Sequence, residues 1–530
     1  MLGAPLAFSS GCGSSKKTKR SKAKPPLPPG ELIGASHEIG HKLRSAISGA
    51  PPTDWHEHDV IIVGAGVAGL SAARQLAKEK IDDCLIVELE KSVGGTSRSS
   101  SSPLVGYPWG AHYITTPTIE NQPLIELLNE MDVLDGIDEV GDAIPKDAYR
   151  CRKPEERLFL NGQWHKGIFP ADGATKSDYL QYKRFESMIV EFGKRRDAKG
   201  RRAFVMPMAL CAQDEDLLQL DKISMTQWLE NEGFDSERLK WYINYACRDD
   251  YGMSIDQTSA WAAIFYFAAR NGAGGERPYI TWPEGNGRLV AQIRKAVKAK
   301  IDTGRLVFRV GLQKGGKREV IAIDRDGKQV GLRARQVIFA APHFLADNVI
   351  EDLQADDAAS YIDDFHYAAW AVVNMELKRL PETKGQTMAW DNVIHGSRSL
   401  GYVCATYQKG IDDGRQHITY YYPVMNDDVA QARERLLSID RDGWVDIALT
   451  DIEQAHPDIR DIVVRADVAR WGHGMIQPRI GFVSGNSRKG ALKQWPGLVF
   501  AHSDQSGLGL FEEAFYRGTE AGKLVAKAIA

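Results

Sequence analysis

Residues 59–99 read DVIIVGAGVAGLSAARQLAKEKIDDCLIVELEKSVGGTSRS, and this stretch decides the fold. Residues 60–63 form a continuous apolar run, the pattern of a strand buried on both faces of a parallel sheet. Gly64, Gly66 and Gly69 then fit G-x-G-x-x-G, with Ala68 between the last two. In this motif the first glycine makes the tight turn and the second lets backbone approach a pyrophosphate. The third lets helix and strand pack closely. The spacing predicts a helix over 70–80, its N-terminal amides and dipole turned toward the phosphates. A second apolar run, 84–87, ends at Glu88, 19 residues past Gly69. A carboxylate at that distance suits ribose hydroxyls and disfavours a 2′-phosphate.

Composition sets the limits around this unit. The 530 residues are 43% hydrophobic and 26% charged, which excludes a mostly disordered chain and predicts roughly two to four folding units. Basic residues number 67 against 70 acidic, a net charge of -3, so nothing global draws the chain to nucleic acid. Six cysteines are scattered without C-x-x-C pairing, so no metal site or disulfide framework is expected. The longest apolar run, 260–269, is about half of the ~20 residues that a bilayer span needs.

The N-terminus reads MLGAPLAFSSGC, then a Lys-, Ser- and Pro-rich run that is expected to be a solvated linker. Small residues before Cys12 resemble the tail of a bacterial lipoprotein signal, although no charged region precedes them. Two readings stay open: a disordered tail with a chance cysteine, or a membrane tether through Cys12. The second favours the cell envelope over the cytoplasm.

Six residues beyond Glu88 come Gly94 and Gly95, and Thr96 and Arg98 follow. Further on stand YPWGAHYI (107–114), RLVFRV (305–310), QVIFAAP (336–342) and GLVFAHSDQSGLGLFEEAFYRGTEAGKLVAKAI near the end. Together these blocks resemble the flavin amine oxidase and phytoene desaturase superfamily. The resemblance implies an α/β fold: an FAD-binding Rossmann-like domain of the glutathione-reductase type with a discontinuous α+β substrate domain. The expected boundaries are 1–52 for the N-terminal segment and 53–120, 284–345 and 465–530 for the FAD domain. Residues 121–283 and 346–464 make up the substrate domain.

The resemblance also implies roles. FAD, bound non-covalently because no cysteine lies in the C-terminal ring block, would meet Gly110, Ala111 and His112 near the flavin. Backbone of Val310 would lie at the adenine, Asp504 at the ribityl chain, and Gly509 and Leu510 at a helix mouth. Trp471 would form an aromatic wall beside the isoalloxazine. His473, and after it His112, are the candidate acid–base residues, since neutral imidazole accepts a proton near pH 7. Either histidine could equally be a structural hydrogen-bond partner. One departure is chemical. Amine oxidases of the family often carry a lysine beside the flavin, and residues 367–376 (YAAWAVVNME) have none.

These readings predict an FAD-dependent oxidoreductase that takes hydride from an amine or related small substrate, with oxygen or a quinone as electron acceptor. A desaturase or isomerase of a lipophilic polyene and a non-catalytic flavin-fold protein are the alternatives. An acid facing the flavin would favour amines, and a long apolar tunnel would favour lipids.

Overall fold

The structure is a computed structural model that describes residues 25–45, 47, 51–272, 275–313, 315–354, 357–410 and 414–530. Cys12 and the signal-like start lie outside the described residues.

Two large sheets organise the chain. The first has seven strands and grows from Trp55–Val63, whose last four residues are buried. Cys84–Glu88 pairs with it in parallel on one side and Gln329–Phe339 on the other. Lys300–Thr303 extends the sheet beyond Cys84–Glu88. Arg318–Ile323 and Leu306–Leu312 extend it antiparallel, and Leu498–Phe500 joins Gln329–Phe339 in parallel. Residues from both ends of the chain thus share one sheet. The helices Val67–Lys78 and Phe511–Ile529 pack on each other on one face of it. Glycine makes that approach feasible: a Cβ on Gly518 would collide with the carbonyl of Ala68.

The second sheet has eight strands in the order Leu32–Gly34, Val463–Ile476, Tyr367–Leu377, Gln416–Val424, Gly401–Cys404, Asp391–Ile394, Glu156–Leu160 and Gln163–Lys166. Two of these strands come from outside the segments expected to make up the substrate domain. Val463–Ile476 lies almost wholly within the segment read as FAD domain, yet it pairs with Tyr367–Leu377 over most of its length. Part of the N-terminal segment read as linker is also structured, since Leu32–Gly34 runs parallel to Val468–Arg470.

The helical region between them matches its periodicity. Lys176–Lys194 begins with a capping box of Thr175 and Asp178. The stretch 241–270 divides into Glu237–Tyr251 and Ala260–Ala268, broken at Gly252 with φ 60°. Trp228, Trp261, Phe265 and Phe267 are buried in the core these helices share, as their helical spacing suggests. Among the described residues no helix is long and apolar enough to cross a membrane, and no group of His, Cys, Asp and Glu could hold a metal.

Candidate active site

The glycine turn closes as its spacing requires. Gly64 has φ 103°, and its N–H donates to the Val87 carbonyl at 2.8 Å. A Cβ on Gly69 would collide with the Gly64 carbonyl, so helix and strand meet there without a side chain. A Cβ on Gly66 would find nothing within 4 Å. Open space therefore borders the start of the helix Val67–Lys78, whose first-turn amides have no acceptor within the helix. Ala68 is buried in that turn. Gly94 donates to the Ala65 carbonyl at 2.8 Å, and Gly95 packs against Gly66.

Glu88 ends its strand beside this turn. It accepts the amides of Ala65 at 2.5 Å and Glu90 at 2.7 Å. Burial raises its pKa, against those hydrogen bonds. A carboxylate has about four lone-pair sites, so two remain for ribose hydroxyls. Free amides, open backbone and a spare carboxylate edge fit the diphosphate and ribose of a dinucleotide.

The groove continues past Gly95. Thr96 accepts the Ala111 amide at 3.1 Å, and Gly110 sits against Thr96 so tightly that a Cβ would not fit. There a cavity opens, with about 840 Å³ of empty space that includes open solvent. Seven residues expected at the site line it together: Thr96, Gly110, Ala111, His112, Trp471, Gly509 and Leu510. Trp471 is fixed by donating its indole N–H to the Trp109 carbonyl at 2.7 Å. His112 stacks on Tyr421 with ring centroids 4.8 Å apart, and burial lowers its pKa to about 4.

Four expected residues stand elsewhere. His473 does not line the cavity; it stacks on Phe344 at 4.1 Å, with burial lowering its pKa to about 3. The cause is a bulge. Met475 pairs with Ala368 and Trp471 with Trp370, so residues 472–474 oppose a single residue and alternation fails at His473. Asp504 does not line the cavity either. It sits in the 3-10 turn Ser503–Gln505 and accepts the His343 amide at 2.8 Å and the Tyr367 hydroxyl at 2.6 Å. Burial works to raise its pKa, but His502, 2.9 Å away, and those hydrogen bonds outweigh it and lower it. Val310 pairs with Val320 on one side and bridges Ile350 on the other, so its backbone is engaged on both edges. Arg98 lies over the Trp471 ring at 5.0 Å and 3.7 Å from Glu90.

The cavity also holds charged residues that local spacing did not single out. Asp249 and Asp250 end the helix Glu237–Tyr251, and Arg270 follows the next helix. One guanidinium nitrogen of Arg270 meets both Asp250 oxygens, at 2.8 and 2.9 Å. The same guanidinium donates to Tyr113 at 3.3 Å and lies 3.9 Å from the Tyr266 ring. The Asp250 charge is therefore matched. Among the described residues Asp249 has no hydrogen-bond or ion-pair partner. Burial, then neighbouring Asp250 and Asp391, push its pKa well above the ordinary carboxylate range. Glu512 accepts the Thr115 amide and hydroxyl, each at 2.9 Å. Trp370 also lines the cavity, from the strand that lacks the expected lysine, and no lysine is among the lining residues.

The model of the flavin-containing amine oxidoreductase family matches residues 67–529. No curated protein sequence matches the chain. Solved structures share its fold. A putrescine oxidase double mutant superposes with a TM-score of 0.65 at 15% identity, over 89% of this chain and 99% of that one. Cyclohexylamine oxidase from Brevibacterium oxydans IH-35A gives 0.61 at 16%, over 89% and 99%. A CLA-producing fatty acid isomerase from P. acnes gives 0.60 at 16%, over 90% and 99%. With nearly all of the chain matched, and a groove and cavity that fit FAD, this protein belongs to the flavin-containing amine oxidoreductase family and is an FAD-dependent oxidoreductase.

Proposed function

We propose that the protein oxidises a small amine, removing hydride from the carbon beside nitrogen, with molecular oxygen as final acceptor. Asp249 carries this reading. A carboxyl that lines an aromatic cavity without a partner is costly unless a cation arrives to meet it. Arg270 does not fill that role, because Asp250 already matches it. His112 is kept neutral and adds no opposing charge.

The chain's own residues then prepare the substrate. Asp249 attracts the ammonium into the cavity. Burial raises the pKa of this carboxyl and lowers that of an enclosed ammonium, which brings the two together. The proton can then pass from nitrogen to the Asp249 oxygen at small cost, leaving a neutral amine. Trp370, Tyr421 and Trp471 line the cavity, exclude water and orient the C–H bond. Bound FAD supplies the two-electron acceptor. Hydride leaves the carbon while the nitrogen lone pair forms the C=N bond, so the product is an iminium that water hydrolyses. Two of the structural neighbours are named as oxidases of amines, which supports both the substrate class and oxygen.

The test is anaerobic bleaching of the flavin's visible absorbance by a panel of amines, amino acids, polyamines, fatty acids and carotenoid precursors. Bleaching by amines alone is expected. Bleaching by an apolar polyene or fatty acid, with none by any amine, would overturn the proposal.

A further inference from the structure

The N-terminal arm, residues 28–44, crosses the space between the two sheets. Its first part is zipped to the eight-stranded sheet. The Pro29 and Glu31 carbonyls each accept an amide of Val463–Ile476 at 2.9 Å, and Leu32–Gly34 pairs with Val468–Arg470. The arm then passes to the C-terminal end of Cys84–Glu88 in the other sheet. Ser36 donates its amide to Glu90 at 2.6 Å and its hydroxyl at 2.9 Å. Gly40 lies against Leu89, and Leu43 packs on the cluster that contains Val63, Val87 and Val310. In parallel α/β sheets the carboxyl ends of the strands are where a dinucleotide lies. The arm therefore spans the mouth of the groove formed by Gly64, Gly66 and Glu88.

The arm also brings uncompensated charge. Arg44 and His41, with Arg433 from the helix Val429–Ser438, gather about His473, which stands two residues from the cavity-lining Trp471. Arg44 and Arg433 repel one another, and among the described residues neither makes an ion pair; Asp428 acts on Arg433 only from a distance. Asp504 also faces His473, but it already accepts from His343 and Tyr367, so two guanidiniums brought together with no acid in ion-pair contact are arranged for an anion from outside the chain. FAD supplies one in its pyrophosphate.

We propose that residues 36–44 form a strap that closes over bound FAD, and that Arg44 and Arg433 compensate the charge of its pyrophosphate. FAD cannot leave this groove until Ser36 releases Glu90. The strap therefore sets how long the cofactor stays bound.

Two measurements on the full-length chain test this, and neither needs turnover. The first is FAD release from the holoenzyme, followed by the rise of flavin fluorescence on dilution. Arg44→Ala with Arg433→Ala should release FAD about tenfold faster than wild type, and Arg44→Lys with Arg433→Lys should restore most of the difference. The second is limited tryptic digestion, read by mass spectrometry. Lys42 and Arg44 are exposed cleavage points on the strap. They should be cut readily in apoprotein and resist in holoprotein. Equal release rates in wild type and the double alanine variant, or identical cleavage at Lys42 and Arg44 with and without FAD, would overturn the proposal. The digestion uses the unaltered chain, so a misfolded variant cannot mask the result.

Discussion

Replacing Asp249 by Asn removes the charge and keeps the shape. At about 4 Å and an effective dielectric of about 20, a carboxylate and an ammonium attract by about 4 kcal/mol. Truncating one partner of a buried charge pair costs about 2–5 kcal/mol. Asp249 is half-buried and lines a cavity that is partly open to solvent, so a middle value of about 3 kcal/mol is taken. That corresponds to a loss of about 150-fold in kcat/KM for an amine. The assay is anaerobic stopped-flow reduction of the flavin across a range of amine concentrations. It separates the amine Kd from the reduction rate. Both should suffer, because Asp249 attracts the cation and also takes its proton. FAD content should be unchanged, since Asp249 lies away from the glycine turn. A variant with full FAD whose kcat/KM falls less than about fivefold would refute the reasoning, because a contact worth under about 1 kcal/mol is not a buried counter-ion.

Other outcomes follow from the same contacts. Asp391 is half-buried, and desolvation raises its pKa to about 7, so the folded state holds a proton that the unfolded chain gives up above about pH 4. Stability is therefore lost as pH rises from about 4 to about 7. Asp391→Asn should flatten that loss by about 1–3 kcal/mol in denaturant titrations and do little at pH 4. Asp250→Asn leaves the buried Arg270 unmatched and should destabilise by about 3–5 kcal/mol. Chemical denaturation measures that loss, and a drop below about 1 kcal/mol would mean that Arg270 has other support. Gly69→Ala forces a Cβ onto the Gly64 carbonyl within the glycine turn, and Gly518→Ala forces one onto the Ala68 carbonyl where the two chain ends meet. Each should lower the flavin-to-protein absorbance ratio of the purified enzyme, whereas Gly200→Ala on the surface should not.

The cofactor end of the molecule was legible because its signals are local. Gly64, Gly66, Gly69 and Glu88 lie within one strand–helix–strand unit, where spacing alone decides geometry. The C-terminal block was legible for the same reason, down to the strand Leu498–Phe500 and the helix after it. The substrate end was not. Asp249, Arg270 and Trp370 come from separate elements, and only the tertiary fold brings them into one cavity. A signal was nevertheless present. The run CRDDY places two adjacent acids on a helix otherwise rich in aromatics, and acids are rarely buried without a partner. His473 lies off the cavity wall because a bulge breaks strand alternation there, and Asp504 because a 3-10 turn directs it inward; neither irregularity has a local sequence signal. The arm was read as a linker from its composition. Backbone pairing along a sheet edge needs no particular side chains, so composition hides it.

The most direct test is a crystal structure of the FAD-loaded enzyme with a slow-reacting amine. The amine nitrogen should lie within about 3.2 Å of an Asp249 oxygen, with its α-carbon between the aromatic wall and the flavin ring. An amine bound away from Asp249, or an ordered lipid chain filling the cavity while Asp249 stays unpaired, would contradict the account.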